Sequence, residues 1–233
     1  MDTAGLRRGL LVIGALVAAT PACRAVEPLV TNYGIGTILH PLQPAAVAPC
    51  NCPKEHIYIF AVNGVNPLCL GNFNGFCNYL KDQGYCHTYF AQLYTCPGWS
   101  DRIREVRRCD PQAKIVLIGF SMGANWVKAI ANDLAQDCTR VDLLVYIVGD
   151  TLQNTPASHP ANVCRILNIR GKGLILTGGD LIWNGCDIDG ARNCKVECRH
   201  ILAPSRRETL ELVTEELAAL ACGTPPPAGC PCH

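Results

Sequence analysis

The stretch Lys114-Ile115-Val116-Leu117-Ile118-Gly119-Phe120-Ser121-Met122-Gly123-Ala124-Asn125 constrains this chain more than any other. An apolar run leads straight into Gly-Phe-Ser-Met-Gly, and residues 124–134 then carry apolar side chains at helical spacing. The pattern predicts a strand, a sharp turn and a helix, with a serine at the tip of the turn. Such a turn strains the serine's backbone and crowds its neighbours. Gly119 and Gly123 stand where a Cβ would collide across it. The geometry lifts the hydroxyl clear of the sheet and aims the N–H of Met122, at the helix start, toward an oxygen bound beside the serine. Ser121 is therefore a candidate nucleophile and Met122 a candidate oxyanion donor. The plainer alternative is a glycine-rich strand-to-helix turn with no chemistry.

The 233 residues and a 49% apolar content are enough for one domain with a full core. Lys+Arg 20 against Asp+Glu 19 leaves a net charge of +1 with no basic stripe, which argues against a nucleic-acid partner. Sixteen cysteines point to an oxidising compartment. Arg7 and Arg8 precede the apolar run Leu10 to Ala19, and small residues follow through Ala25. This reads as a signal peptide over residues 1–25, hence an exported protein with no stable membrane insertion after cleavage. Lipidation at Cys23 and a retained anchor are the alternatives; the leucine usual three residues before a lipidated cysteine is missing.

Prolines break residues 26–55 into an irregular N-terminal extension, with Cys50 and Cys52 as pins. A single catalytic-size domain then spans 56–222, and residues 223–233 form a Cys/Pro-rich tail. Within the domain His56–Val62, His87–Tyr94, Lys114–Phe120, Val141–Gly149, Cys164–Ile169 and Cys194–Cys198 read as strands. Asn72–Gly84, Ser100–Arg108, the segment after Ser121, and Glu208–Ala221 read as helices. Strands alternating with helices predict an α/β fold, a mostly parallel sheet of about six strands covered on both faces. No insertion is long enough for a mobile lid.

After the first strand comes Asn63-Gly64-Val65, where Gly64 gives a permissive turn and Val65 a second candidate oxyanion N–H. A plain Asn-Gly turn explains the same residues. In the chain order usual for such an elbow, an acid and then a histidine follow the serine. Of the six histidines, His40 precedes the core, His56 and His87 begin early strands, and His233 is in the tail. His159 is a surface residue or a substrate contact. His200, between the last strand and the last helix, is the candidate base. Asp180 is the leading candidate acid and Asp150 the runner-up, while Asp187 and Asp189 also follow the serine; Asp189-Gly190 reads as a turn.

The segment Asp180-Leu181-Ile182 … Ile188-Asp189-Gly190-Ala191-Arg192-Asn193 … His200, together with Gly119-Phe120-Ser121-Met122-Gly123, resembles the small lidless bacterial triacylglycerol lipases of the α/β-hydrolase superfamily; cutinases are a second similar group. The resemblance covers about residues 56–220. It implies a minimal α/β-hydrolase fold, Ser121 as nucleophile, Asp180 as acid, His200 as base and Asp189 without a catalytic role. It also implies hydrolysis of a small-molecule or lipid ester through an acyl-enzyme, with no metal and no organic cofactor. The N-terminal extension and the cysteine content depart from both groups. The large neighbour Phe120 and the missing lid point to an open apolar site and short- to medium-chain esters. Three other readings use the same residues. One is an acyltransferase or thioesterase on this scaffold. Another is a catalytically silent exported binding protein. The third is a zinc site built from Cys50, Cys52, Cys230, Cys232 and His233, against which disulfides in the same flanking segments compete.

Overall fold

The apolar runs that carry Val, Ile and Leu without alternation are strands buried on both faces, as parallel strands are. They are β1 (Ile57–Val62), β3 (Lys114–Phe120), β4 (Leu143–Ile147) and β5 (Ile166–Lys172), while the edges of the sheet are β2 (His87–Ala91) and the largely exposed β6 (Arg192–Arg199). The structure, a computed structural model, describes residues 36–43, 51–65, 68–93, 95–96, 98–149, 158–172 and 186–225. All pairings in the six-stranded sheet are parallel, in the order β2-β1-β3-β4-β5-β6.

Helices cover both faces because each contributes one apolar stripe. On one face α2 (Phe73–Asp82) and α5 (Arg207–Ala221) press Phe73, Phe76, Leu80, Leu210, Val213 and Leu217 against Ile59, Ile118, Val145 and Ile169. On the other, α3 (Trp99–Cys109) and α4 (Gly123–Ala135) bring Trp99, Ile103, Val127 and Leu134 to Phe60, Leu117 and Tyr146. Each fully buried side chain of this kind contributes about 1.5–3 kcal/mol. This is the expected α/β architecture, a parallel sheet of six strands covered on both faces.

Local chemistry trims the elements read from sequence. Strand β2 stops at Ala91 because the Gln92 N–H turns to the Thr95 hydroxyl at 3.0 Å and the Thr95 N–H returns to the Gln92 carbonyl at 2.9 Å. Helix α2 ends in a left-handed Gly84 (φ 92°), with Tyr85 N–H on the Leu80 carbonyl and Gly84 N–H on that of Lys81. Helix α3 buries Trp99, Ile103 and Val106 in the core, while Arg104 lies 3.4 Å from Asp133 and 2.5 Å from Asp137 beside α4. The extension is not wholly irregular, since α1 (Gly36–Leu39) seats on the loop before α2. A Cβ on Gly36 would stand 1.9 Å from the Cys69 carbonyl oxygen, and Asn72 donates to the His40 carbonyl at 2.8 Å.

The disulfide Cys52–Cys222, both of whose cysteines are among the described residues, ties the chain ahead of β1 to the end of α5 across 170 residues. That is the staple expected of the flanking segments, and it removes Cys52 from any zinc site. Cys109 and Cys164 are also disulfide-bonded, whereas Cys69, Cys77, Cys86, Cys96, Cys138, Cys194 and Cys198 are free thiols. Replacing both Cys52 and Cys222 with serine is expected to cost about 2–5 kcal/mol, or roughly 5–15 °C in Tm for a domain of this size. Thermal unfolding of the double variant checks this, and an unchanged Tm would contradict it.

Candidate active site

In a parallel sheet every strand ends at the same edge, and that is where open α/β sheets bind ligands. Ser121 follows β3 there, Asn63-Gly64-Val65 follows β1, and His200 follows β6. Backbone strain gathers at the same edge. Of the five described non-glycine residues with positive φ, Cys69, Asn72, Ser121 (φ 55°) and Val148 (φ 44°) lie on it, and only Cys138 does not.

The turn around Ser121 is as tight as its glycines predict. A Cβ on Gly119 would lie 2.6 Å from the Ala124 backbone, and one on Gly123 would lie 2.2 Å from the Val62 carbonyl oxygen. The serine N–H is held by the Ile147 carbonyl at 3.0 Å, and the serine carbonyl accepts the Ala124 N–H at 3.0 Å as α4 begins. Ser121 is 8% exposed, and its hydroxyl makes no hydrogen bond among the described residues. Met122 precedes the first residue of α4, so its N–H has no partner within the helix and points out of the N-terminal end.

The loop after β1 lies directly on the serine. A Cβ on Gly64 would be 2.7 Å from the Ser121 Cβ and 3.1 Å from its Oγ. Two of the loop's N–H groups are engaged: Asn63 donates to the Ala91 carbonyl at 2.9 Å, and Gly64 donates to the Asn63 side-chain oxygen at 3.0 Å. The next N–H is that of Val65, whose side chain is 60% exposed.

His200 opens a 3-10 helix, His200–Ser205, rather than a loop, and it is 5% exposed. Its ring centroid lies 5.5 Å from that of Phe120, the residue before the serine. Phe120 itself is 2% exposed and packs on Phe73 at 5.6 Å, and a Cβ on Gly71 would stand 2.9 Å from its ring. This corrects one expectation: Phe120 is core beneath His200 and not the wall of an open apolar site. Position in the sheet also separates the other histidines. His56 is 2.8 Å from Asp110 and His87 stacks on Tyr58 at 4.5 Å, both at the strand starts. His159 engages the Val163 carbonyl at 2.8 Å, ahead of β5, and so belongs to the edge away from Ser121.

Asp180 and Asp150, the two candidate acids, lie outside the described residues. Asp189 is exposed and leads into Gly190 (φ 73°), the turn its sequence predicts. Asp187 pairs with Arg170 at 2.8 Å on the surface. Asp142 is buried but sits at the start of β4, 2.6 Å from Arg107 and accepting the Ile115 N–H at 2.8 Å, a structural ion pair at the wrong edge. Sequence reasoning missed Asn193. Its side chain accepts the Ile188 N–H at 3.0 Å and donates to the Ile188 carbonyl at 2.9 Å, folding the segment before β6 against the sheet.

Among the described residues no group of His, Cys, Asp and Glu could hold a metal ion, and no helix is long and apolar enough to cross a membrane. Cys23, Cys50, Cys230, Cys232 and His233 lie outside the described residues, as does the expected signal segment. The fold is α/β with a six-stranded parallel sheet, and the serine stands where a strained strand-to-helix turn presents it. No protein-family model and no curated protein matches the chain. Among solved structures it is similar to the crystal structure of a predicted CIB-like hydrolase from Thermoplasma acidophilum. The TM-score is 0.43 and the identity 12%, covering 71% of this chain and 88% of that one. A likeness at that level says nothing about activity.

Proposed function

We propose that this protein is a serine-dependent carboxylic ester hydrolase. One observation carries the reading: a left-handed Ser121 (φ 55°) at the tip of a strand-to-helix turn, with Gly64 of the neighbouring loop packed on its side chain and the His200 ring against Phe120 beside it. Ser121 attacks the ester carbonyl. His200 takes its proton and later returns it to the leaving alcohol, and Asp180 orients the imidazole and offsets its positive charge. The N–H groups of Met122 and Val65 bind the oxyanion, each worth about 3 kcal/mol in the transition state. Val65 is favoured over Gly64 because the Gly64 N–H is engaged by Asn63. Water then releases the acid. The serine hydroxyl is not yet bonded to the base, and such bonds commonly tighten only with substrate. The Cys52–Cys222 disulfide suits the exported location that the N-terminal segment suggests.

The test is hydrolysis of a nitrophenyl ester series of increasing acyl length by the mature protein. Turnover with a length optimum is expected, and the optimum names the substrate class. A folded protein inert across the series would sink the ester reading, and turnover only with thioesters or with an acceptor alcohol would replace it by a thioesterase or acyltransferase on the same residues.

A further inference from the structure

Behind the loop that lies on Ser121, three polar side chains form a relay. Asn63 is fully buried, and its Oδ1 accepts the Gly64 N–H at 3.0 Å. A backbone N–H can only donate, so this contact fixes which way round the Asn63 amide sits. Its Nδ2 must then donate, and its acceptors are Gln92 Oε1 at 3.1 Å and, at the longer distance of 3.9 Å, the Cys69 sulfur. That in turn leaves the Gln92 Nε2 to donate to the Cys69 sulfur at 3.0 Å. One unambiguous donor therefore orients the whole chain of contacts. Gln92 is itself pinned. The β1–β2 register sets Val62 beside Ala91, so the residues that follow lie side by side. The Gln92 backbone is closed into the Thr95 turn on both sides, with N–H to hydroxyl at 3.0 Å and hydroxyl to carbonyl at 3.1 Å. Burial pushes the Cys69 thiol up, against a smaller opposing pull from the Gln92 hydrogen bond, so the sulfur stays neutral.

We propose that Gln92 is a positioning residue for ester hydrolysis, acting through Asn63 to hold the Gly64–Val65 backbone where its N–H meets the oxyanion. The proposal rests on the hydrolase reading given above. Without the Gln92 oxygen the buried Asn63 Nδ2 keeps only the long contact to the Cys69 sulfur at 3.9 Å, and a buried donor so poorly satisfied drives the amide to rotate. A rotated Asn63 would face its own N–H2 toward the Gly64 N–H, two donors opposed, and the loop would turn away. A shift of about 1 Å in such a donor is enough to cost up to 10²-fold in rate. The loss falls on the transition state, where the oxyanion exists, and spares ground-state binding.

The experiment compares wild type with Gln92→Met, which keeps length and volume but has no acceptor, Gln92→Glu, which keeps the acceptor oxygen and takes the Cys69 S–H on the other, and Cys69→Ala. Readouts are kcat and KM on a short nitrophenyl ester, Tm, and affinity for an aryl trifluoromethyl ketone. In that adduct the serine Oγ bonds to the carbonyl carbon, its proton passes to His200, and the carbonyl oxygen becomes the bound oxyanion. Gln92→Met is expected to lower kcat by about ten-fold with KM within about two-fold, and to weaken the ketone by the same factor as kcat. Gln92→Glu should keep kcat within about three-fold of wild type, and Cys69→Ala should lower it by about two- to three-fold. Wild-type kcat in Gln92→Met, or a lowered kcat with unchanged ketone affinity, would overturn the proposal. If Gln92→Met does not fold, wild-type kcat in Cys69→Ala, or a kcat in Gln92→Glu as low as that expected of the methionine variant, overturns it. A folded wild type that neither turns over esters nor binds the ketone would overturn the hydrolase reading itself, a different outcome from an active wild type indifferent to residue 92.

Discussion

Ser121→Ala is expected to lower kcat for ester hydrolysis by about 10⁴-fold or more while shifting Tm by no more than a few degrees. The reason is local. The hydroxyl makes no hydrogen bond among the described residues, and a β-carbon is already accommodated in the left-handed backbone, so alanine changes little except the nucleophile. His200→Ala should cost a comparable factor, and the double variant scarcely more than either, because a nucleophile without its base and a base without its nucleophile are equally idle. Steady-state turnover beside a thermal melt separates this from simple unfolding. Ser121→Ala with more than a tenth of wild-type turnover would contradict the assignment.

Gly123→Ala is expected to lose about 3 kcal/mol of stability, the cost of forcing a methyl group into a space already filled. That corresponds to roughly 6–12 °C in Tm. Its Cβ would stand 2.2 Å from the Val62 carbonyl oxygen, 2.9 Å from the Val62 carbonyl carbon and 3.0 Å from the Asn63 carbonyl oxygen. All three are backbone atoms in the centre of the sheet, so no side-chain rotation relieves the collision. The end of β1 must move, and with it the loop that carries Val65, so turnover should fall at least ten-fold even at temperatures where the protein stays folded. A denaturation curve and a rate at 25 °C test both parts; a stable and fully active Gly123→Ala would show that the elbow is looser than its contacts imply.

How much of this was legible in the sequence differs from one element to the next. The central strands were, because parallel strands buried on both faces carry unbroken Ile/Val/Leu runs that little else produces. The elbow was, because glycines at 119 and 123 flanking a serine serve one steric purpose, and both turn out to be places where a Cβ has no room. His200 was placed at the right edge by its order in the chain. The strand ends were read too long, as at Gln92 and Leu93, because the hydroxyl of Thr95 captures the Gln92 N–H and stops the ladder, a side-chain event with no periodic signature. Phe120 does not open the site to apolar substrate as its sequence position suggests, since a large apolar residue beside a serine looks the same from sequence whether it faces the site or the core. The Asn63–Gln92–Cys69 relay was invisible for a different reason. Its members lie far apart in sequence, and only the β1–β2 register brings Gln92 beside Asn63. An asparagine followed by glycine signals a turn, and nothing in that dipeptide says that the side chain will be buried and will need an acceptor.

The cysteines divide in the same way. The pairing of a flanking segment with the core is met by Cys52–Cys222, but many other cysteines are packing residues. Burial above all, with Glu208 and Glu197 adding to it and Arg206 opposing, pushes the Cys198 thiol up to about 11, and burial is also the main cause that raises Cys77 further, so both behave as small apolar side chains. A cysteine count cannot separate these uses, because a thiol suits a tight core as well as a disulfide.

An activated nucleophile at Ser121 is tested by covalent labelling of the intact mature protein with a fluorophosphonate, followed by peptide mass spectrometry. A phosphonyl group on the Ser121 peptide, formed stoichiometrically and lost in His200→Ala, is the predicted result. A folded protein left unmodified at Ser121, or labelled there no faster when His200 is present than when it is replaced, would contradict the account.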